Sequence, residues 1–437
     1  MVSKMPPAAS LPSTSPPAPA AQDLLVSLWN PQALPDPRGQ RWQLAGVLRT
    51  QGPCRGAFSY LRAYDGPPLD PLHLDYRAKP PGALFAPQPG QELFGVFRDI
   101  LPGYFGSVLW ERCRPALQGA GPLAHLAAFG TRSQSGLLVR ALAAVATPER
   151  LPRSLAALET IAARIEGLLA GDDILDEAHV YALTTLGGAR PKAAVCLDGI
   201  HYVAKFNRPD DVYTSLARVE HAMLRWAAAS GLSVPESRVV TLPRSGADVL
   251  LVARYDRQGA HRAHRLSLRT LTGTDNIGRW DTHADARDVT RILQALAAPE
   301  TDHDEWIRRI AFMAAMHDSD NHFGNVEMRL DEENRWRLAP AYDLVPVTGN
   351  PAFATRLCGF VNPYQAVSVH LAPAIARFCM RPLAHVQALV YATWTAMVHQ
   401  ADTTFREARI GSVDAKRLYE GLSLARVAAL TSQFPAA

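Results

Sequence analysis

The sequence contains few cysteines, and they are not arranged to bind a metal. Only five of the 437 residues are cysteine, namely Cys54, Cys113, Cys196, Cys358 and Cys379, and no two of them are spaced as Cys-x-x-Cys. A zinc site would need such close pairs, and a disulfide framework would normally need an even number. The scattered positions predict free, buried thiols in a reducing compartment.

Long hydrophobic runs and a strong excess of one charge are also missing. No stretch approaches the roughly 20 apolar residues that span a membrane, and residues 1–22 lack the continuous apolar segment of a signal peptide. That segment is instead rich in proline, alanine and serine, which predicts a disordered tail. The net charge of +4, from 45 basic and 41 acidic residues, is too small to indicate a nucleic-acid-binding protein. We therefore expect a cytoplasmic protein that makes no membrane contact.

The chain after this tail is long enough for two or three domains of roughly 100–200 residues each. Between residues 23 and 178, segments with strand character come first, and segments in which apolar residues recur at helical spacing follow. The predicted strands are 24–30, 42–49 and 57–63, and the predicted helices lie within 92–112, 123–138 and 154–170. We interpret 23–178 as an N-terminal α/β subdomain.

A different pattern begins near Tyr181. Two short strands on either side of the turn Asp198–Gly199 are followed by a helix and then by a second hairpin. The predicted strands are 193–197, 202–206, 238–242 and 249–254, and the predicted helix is 215–229. The sequence then becomes mostly helical, with one further hairpin between 326 and 339. We interpret 179–258 as a small β-rich domain and 259–437 as a helical one.

The densest polar cluster is 317–325, His-Asp-Ser-Asp-Asn-His-Phe-Gly-Asn. Asp320 and Asn325 are five residues apart within it, and Asp343 follows the last predicted hairpin. Phosphoryl transfer from ATP needs a carboxylate that accepts the proton of the attacking hydroxyl, and it needs oxygen ligands for Mg²⁺. Protein kinases supply these with a loop Asp, an Asn five residues later and a second Asp farther along the chain. A solvated turn would explain any one of these residues, but the ordered set predicts a phosphotransfer centre.

A segment that could bind phosphates precedes this cluster. It runs from 184 to 192, Thr-Thr-Leu-Gly-Gly-Ala-Arg-Pro-Lys, and backbone N–H groups around Gly187–Gly188 can face phosphate oxygens. A glycine pair taken alone is more typical of an ordinary turn. Lys205 lies in the second strand, on the same face as Val203, because strand side chains alternate. Glu220 adjoins the apolar stripe of the next helix, where it either pairs with this lysine, as in kinases, or lies at the solvated edge of the stripe.

Taken in order, these motifs resemble the HipA family, the serine/threonine kinase toxins of bacterial toxin–antitoxin modules. The resemblance extends over nearly the whole chain after the tail. It is based on Phe97–Gly106, Phe129–Gly130, Ser135–Leu138, Gly187–Lys192, Arg254–Arg257, Ser319–Asn325 and Pro340–Asp343. One segment departs from the family, because Arg265–Arg269 replaces a His/Gln-x-Glu-Asp-like sequence, and this leaves the substrate contacts open.

The resemblance implies roles for four residues of the catalytic segment. Asp320 would be the catalytic base, and Asn325 and Asp343 would bind Mg²⁺. His322 would support the catalytic loop or contact the nucleotide.

The resemblance also implies how ATP would be bound. Lys205 would contact the ATP phosphates, with Glu220 as its orienting partner. Lys192 would lie with Gly187–Gly188 near the γ-phosphate, and the backbone near Tyr255 would contact adenine.

Some members of the family are inactivated when a hydroxyl just before the glycine turn is autophosphorylated, which ejects that loop. Thr185 occupies the matching position, and Thr184 lies beside it, so both are candidate autophosphorylation sites. The family residue is typically serine, whereas the branched Cβ of threonine restricts its rotamers.

The family implies an α+β, two-lobed protein-kinase-like fold with a small β-rich nucleotide lobe and a mainly α-helical C-lobe. It also implies a HipB-like helix-turn-helix antitoxin, operator DNA contacted only through that antitoxin, and a protein substrate such as an aminoacyl-tRNA synthetase. Two alternatives remain open at this point. A small-molecule phosphotransferase shares the Asp, Asn and Asp but lacks a region like 24–178, and a non-catalytic kinase-like module would act by binding an antitoxin.

Overall fold

The computed structural model describes residues 23–36, 39–52, 55–144, 146–170, 177–184, 186–188, 190–273, 284–346 and 352–433. The predicted tail 1–22 and Cys54 lie outside the described residues. The chain forms two compact units. The first contains Met1–Phe206, Leu242–Ala247 and Asp256–Leu266, and the second contains Asn207–Thr241, Asp248–Tyr255 and Ser267–Ala437. The domain boundaries proposed from sequence, at 178 and 258, stay a prediction.

The first unit contains a five-stranded antiparallel sheet in the order β4-β3-β2-β1-β5. Strand β1 is buried almost throughout, and it pairs with β2 on one edge and with β5 on the other. The strands are β1 (Leu24–Trp29), β2 (Trp42–Leu48), β3 (Phe58–Tyr60), β4 (Leu84–Phe85) and β5 (Leu137–Arg140). The first three confirm the predicted strands, whereas β5 was predicted only as part of a helix and turn.

The helices of the first unit are α1 (Gly95–Arg98), α2 (Tyr104–Cys113), α3 (Pro122–Phe129), α4 (Leu155–Ala170) and α5 (Glu177–Thr184). Trp110 of α2, Phe129 of α3 and Val180 of α5 form a small core together with Leu117. The chain breaks at Pro102–Gly103, between α1 and α2, so the region 92–112 holds two helices. Helix α5 was not predicted.

Two hairpins complete the first unit. In the larger one, β6 (Lys192–Leu197) pairs with β7 (Ile200–Phe206). Asp198 and Gly199 in its turn have φ values of 53° and 79°, the left-handed geometry that matches the twist of two-residue hairpins. The predicted hairpin is therefore confirmed. In the smaller one, β10 (Arg257–Gln258) pairs with β11 (His261–Arg262).

The second unit begins with α6 (Leu216–Ala229), followed by the hairpin of β8 (Ser237–Thr241) and β9 (Asp248–Ala253). Both agree with the predicted elements. The Ser215 side chain caps α6 by accepting from the backbone N–H of Arg218, because the first N–H groups of a helix lack partners within it.

The remaining elements of the second unit are mainly helical. The chain enters this part through β12 (Arg265–Ser267), and β13 pairs with β14 as predicted. The elements are α7 (Leu268–Thr272), α8 (Ala286–Ala295), α9 (Glu300–Met316), β13 (Glu327–Leu330), β14 (Trp336–Leu338), α10 (Pro363–Ala366), α11 (Leu371–Cys379), α12 (Leu383–Glu407), α13 (Ser412–Gly421) and α14 (Leu424–Thr431). Helices α6, α9, α11 and α14 pack on the long helix α12.

The core of this unit is aromatic, and its polar ring atoms are satisfied. The Trp226 ring lies edge-on to Phe312 at 5.1 Å and to Phe405 at 5.4 Å. The indole N–H of Trp394 donates to the carbonyl of Ala311 at 2.9 Å. Burial of large aromatic rings is the main apolar contribution to such a core, and here it fixes α6 and α9 against α12.

Among the described residues, no helix has the length and apolar character needed to cross a membrane. Cys196, Cys358 and Cys379 are buried free thiols, and Cys113 is half-buried.

Candidate active site

The polar cluster begins where α9 ends abruptly. His317 takes a left-handed conformation (φ 61°, ψ 43°), and its N–H donates to the carbonyl of Met313. The N–H of Asp318 donates to the same carbonyl at 3.1 Å. The second half of α9 is buried on nearly all sides, and this burial fixes the position at which the following loop begins.

A neighbouring segment anchors this loop. The Asn321 side chain donates to the carbonyl of Thr355 at 2.9 Å and accepts from the N–H of Thr355 at 2.8 Å. The carbonyl of Ser319 accepts from the N–H of Ala354 at 3.0 Å. A buried amide with both its groups paired holds the backbone in one conformation.

Asp320 and Asn325 come together in this loop. The Asn325 side-chain amide donates to the carbonyl of Asp320 at 3.2 Å, and the N–H of His322 donates to that carbonyl at 2.8 Å. Asp320 is exposed, so a hydroxyl group of a substrate can reach its carboxylate. The five-residue spacing that the sequence suggested therefore corresponds to one compact turn.

His322 supports the loop. Its Nδ1 accepts from the N–H of Gly324 at 3.0 Å, and its carbonyl accepts from the N–H of Asn325 at 2.9 Å. Burial lowers the pKa of His322, and the positive charge of Arg269 contributes, although Asp320 acts in the opposite direction. A neutral imidazole suits this position, because protonation of Nδ1 would remove the acceptor. Contact between His322 and a nucleotide stays a prediction.

Arg269 is a neighbour of this loop that sequence reasoning did not assign. Its Nη2 lies 2.8 Å from the position that a Cβ on Gly324 would take. Glycine at 324 therefore allows the guanidinium to pack on the loop backbone. Arg269 belongs to the segment that departs from the family sequence, and the departure itself was the only signal for it.

Asp343 is held beside this loop by the residue before it. Tyr342 stacks on Tyr255 with ring centroids 6.2 Å apart, and its hydroxyl donates to the carbonyl of Gly324 at 3.3 Å. Asp343 itself has a φ of 58°, a left-handed conformation that Asp tolerates better than most residues. The Tyr255 hydroxyl also donates to Glu327, so the Tyr255 side chain helps to hold this segment in place. Contact between the backbone near Tyr255 and adenine stays a prediction.

Asp318 is a buried acid to which sequence reasoning gave no role. It is only 4% exposed, and within the described part of the chain its Oδ1 has no hydrogen-bond partner. Burial raises the pKa of Asp318 well above its ordinary value, and the negative charges of Asp320 and Asp343 raise it further. The one signal in the sequence was its place in the dense polar cluster.

These oxygen-bearing side chains line one pocket. Asp318, Asn321, Asn325 and Asp343 all contribute to its wall. Among the residues that the structure describes, no three His, Cys, Asp or Glu side chains are already arranged as a metal cage. Mg²⁺ is usually held by one or two carboxylates together with phosphate oxygens and water. The unpartnered buried oxygen of Asp318 and the hard oxygen ligands around it therefore fit Mg²⁺.

The predicted phosphate-binding residues lie in the first unit. Gly187 and Gly188 are exposed, and Gly188 has a φ of 97°, which an L-residue rarely adopts. Lys192 and Lys205 are directly opposite each other in the pairing of β6 with β7. Opposed residues of an antiparallel pair share one face of the sheet. The Nζ of Lys192 lies over Gly188, where a Cβ would be.

The strand faces agree with the predicted alternation. Val203 and Lys205 share a half-buried face of β7, while Tyr202, Ala204 and Phe206 on the other face are buried. Glu220 is 3% exposed within α6, so it does not lie at the solvated edge of the apolar stripe. Lys205 and Glu220 belong to different units, and their pairing stays a prediction.

Of the two candidate autophosphorylation sites, the structure describes Thr184. Thr184 ends α5 with 0% exposure, and its hydroxyl donates to the carbonyl of Val180 at 2.6 Å. Its hydroxyl is thus unavailable unless the last turn of α5 opens. Thr185 lies outside the described residues.

Solved structures that are similar to this chain include a toxin–antitoxin protein and a bacterial kinase. A chain from the complex of HipA, HipB and operator DNA of the Shewanella oneidensis MR-1 toxin–antitoxin system superposes with a TM-score of 0.65 at 16% identity, covering 90% of this chain and 95% of that one. The proinflammatory kinase CtkA of Helicobacter pylori gives a TM-score of 0.39 at 12% identity, over 57% of this chain and 94% of that one. The protein has the predicted α+β, kinase-like fold.

A family model makes the assignment specific. The HipA-like C-terminal domain matches residues 184–403, half of the chain. The protein belongs to the HipA family. Among curated proteins, one named "Putative kinase Y4dM" from Sinorhizobium fredii is 26% identical over 147 residues, which are 31% of this chain and 36% of that protein. The chain thus matches about a third of the length of that relative.

Proposed function

We propose that this protein is an ATP- and Mg²⁺-dependent kinase that phosphorylates serine or threonine on a protein substrate. The observation that carries the proposal is the catalytic loop, in which the exposed Asp320 shares a compact turn with Asn325. Asn325 in turn lines one pocket with Asp318 and Asp343. Each kind of group that phosphoryl transfer requires is present there.

In the proposed step, the Asp320 carboxylate accepts the proton of the substrate hydroxyl while the hydroxyl oxygen attacks the γ-phosphorus of ATP. The new P–O bond forms as the bond between the γ-phosphorus and the bridging oxygen breaks, and ADP leaves with that electron pair. Asn325 and Asp343 would hold Mg²⁺, with Asp318 as a further carboxylate. Bound Mg²⁺ neutralises charge on the phosphate oxygens.

The opposed lysines support ATP as the donor. Two cationic side chains on one face of a hairpin attract a polyphosphate, because each adds a favourable Coulomb interaction with its negative charge. Lys192 and Lys205 are placed in this way beside the exposed Gly187–Gly188 turn. We infer that the polyphosphate of ATP binds there, and that the buried Glu220 orients Lys205.

The partner we propose is a HipB-like antitoxin with a helix-turn-helix fold. The support is the fold shared with a chain of a complex that contains HipA, HipB and operator DNA. This protein would contact operator DNA only through that antitoxin. When no antitoxin is bound, the protein would arrest growth by phosphorylating a host protein, for example an aminoacyl-tRNA synthetase. The negative charge of the added phosphate would block the binding of ATP or tRNA to that enzyme.

The direct test is transfer of γ-labelled phosphate from ATP to proteins of a host lysate. We expect Asp320→Ala to lower the rate about 10²–10⁴-fold, because a general base is removed. Asp210→Ala is the matched control, since Asp210 lies in an exposed loop and, among the described residues, forms a surface ion pair with Arg208. Equal labelling by wild type and Asp320→Ala would refute the assigned base.

The same pair of proteins separates the alternatives. Labelled protein bands favour a protein kinase, whereas transfer to small molecules alone would indicate a small-molecule phosphotransferase. Growth arrest that persisted with Asp320→Ala would instead support a non-catalytic module that acts by binding an antitoxin.

We also propose that Thr185 is autophosphorylated. Thr184 is the weaker candidate, because its hydroxyl is buried and hydrogen-bonded. After incubation with ATP and Mg²⁺, we expect one added phosphate that maps to Thr185 by peptide mass spectrometry and is absent from Thr185→Val. A phosphate at another residue, or none, would contradict this assignment.

A further inference from the structure

The glycine turn is held by a helix of the N-terminal part of the chain. The N–H of Gly103 donates to the carbonyl of Leu186 at 3.2 Å, and the N–H of Phe105 donates to the carbonyl of Gly188 at 3.3 Å. Phe105 lies in the first turn of α2, where backbone N–H groups have no partner within the helix. The start of α2 therefore satisfies its free donors with the carbonyls of the turn.

The two backbones also approach unusually closely. A Cβ on Gly103 would collide with the backbone nitrogen of Gly188, and it would lie 2.6 Å from the carbonyl carbon of Gly187. No side chain fits such a gap unless the turn moves. One turn farther along α2, a Cβ on Gly106 would lie 3.1 Å from the carbonyl oxygen of Thr184. Glycine at these positions lets α2 lie this close to Thr184 and to the turn Gly187–Gly188.

These contacts determine which way the peptide groups of the turn face. In a trans peptide the C=O and the following N–H point in opposite directions. The carbonyl of Leu186 points at α2, so the N–H of Gly187 points away from it. Gly187 is exposed, and a Cβ on it would meet no atom within 4 Å, so the turn is uncrowded at this residue. A backbone donor at such an exposed position, with Lys192 over the next residue, is suited to an anion.

We propose that the segment Pro102–Gly106 is a positioning element for the phosphate-binding turn, and that Gly103 sets the affinity of the protein for the phosphates of ATP. This inference rests on the proposed function. It assigns the N-terminal α/β part of the chain a direct role in nucleotide binding. The ligand class that depends on it is a nucleoside polyphosphate, whereas a nucleoside without phosphates does not depend on it.

The test compares three glycine-to-alanine variants of the full chain by calorimetric titration with ATP plus Mg²⁺ and with adenosine. In Gly103→Ala the added methyl displaces the turn, and we expect ATP to bind about tenfold more weakly, since a misplacement near 1 Å has effects of this order or larger. Adenosine should bind as in wild type. Gly106→Ala should weaken ATP binding less, because its Cβ needs a smaller shift.

Gly411→Ala is the matched control. Gly411 caps α13 with a φ of −63°, as Gly103 caps α2 with a φ of −69°, and a Cβ there would meet nothing within 4 Å. We expect wild-type binding of both ligands. If Gly103→Ala does not fold, as judged by circular dichroism and thermal melting, the milder Gly106→Ala decides the result.

Hydrogen exchange gives a readout that does not depend on ATP. Amides of 183–188 should exchange faster in Gly103→Ala than in wild type and Gly411→Ala, while the rest of the chain is unchanged. Faster exchange with unchanged ATP affinity would overturn the positioning role and leave the proposed function intact. Unchanged exchange would overturn the contact itself. Failure of wild type to bind ATP would overturn both the proposed function and the role in affinity.

Discussion

Asp318 shows how one residue can change the electrostatics of the loop that contains Asp320 and Asn325. Its carboxyl group is buried, its Oδ1 has no partner in the described part of the chain, and the charges of Asp320 and Asp343 act on it. A buried carboxylate left in this state opposes folding unless it is protonated or meets a cation. The residue therefore links the stability of the loop both to pH and to Mg²⁺.

This residue predicts a pH dependence of stability. Because the folded-state pKa of Asp318 is raised, its contribution to stability is fully present below its ordinary pKa and is lost as the pH rises toward the folded value. Asp318→Asn cannot ionise, so relative to wild type its free energy of unfolding should increase as the pH rises above 3.8, the ordinary pKa of an aspartate. Urea unfolding of both proteins without Mg²⁺ at several pH values measures the difference between their free energies of unfolding. If this difference stays constant or decreases as the pH rises, the prediction is wrong.

At the scale of elements, distant segments fix the helix that carries Glu220. The carboxylate of Asp414, at the start of α13, accepts from the N–H groups of Thr214 and Ser215 at 2.8 and 3.0 Å. These contacts lie just before α6 begins, about two hundred positions away in sequence. The start of α6 was predictable from Ser215, but its attachment to α13 was not.

Removing this attachment should destabilise the second unit. We expect Asp414→Ala to lower the free energy of unfolding by about 1–3 kcal/mol, the cost of leaving hydrogen-bonding groups without partners. Asp210→Ala, in an exposed loop, should change it by less than about 0.5 kcal/mol. Denaturant titration of both variants gives the comparison, and equal stabilities would show that water replaces Asp414.

At the scale of the whole molecule, ligand binding should appear as added stability. A ligand that binds only the folded state stabilises it by mass action, by about 2.7 kcal/mol when its concentration is 100 times Kd. The proposed site therefore predicts a higher melting temperature with ATP, and a larger increase when Mg²⁺ is added.

Asp343→Asn tests the metal part of that prediction. Asparagine tolerates the left-handed conformation of Asp343, so the variant removes charge with little backbone strain. We expect the additional increase due to Mg²⁺ to shrink, while the increase due to ATP alone remains. An undiminished effect of Mg²⁺ would exclude Asp343 as a ligand.

Local patterns were sufficient for several elements. The turn Asp198–Gly199 predicted the hairpin of β6 and β7, and alternation placed Val203 and Lys205 on one face. Motif order predicted the HipA family and the kinase-like fold, which the comparisons confirm. These features depend on residues near one another in sequence, so the sequence reveals them.

By itself, the sequence determined the family, the order of the motifs, the local hairpins and helices, and the residue types available for phosphotransfer. Only the tertiary structure decided that Asp318 is buried and that its Oδ1 has no hydrogen-bond partner among the described residues. It also decided that Arg269 packs on Gly324, and that Gly103 leaves room for the glycine turn. The physical reason is that burial, charge interaction and close backbone approach depend on which distant segments meet. Propensity and periodicity describe residues that are close in sequence, and they contain no information about contacts between distant segments.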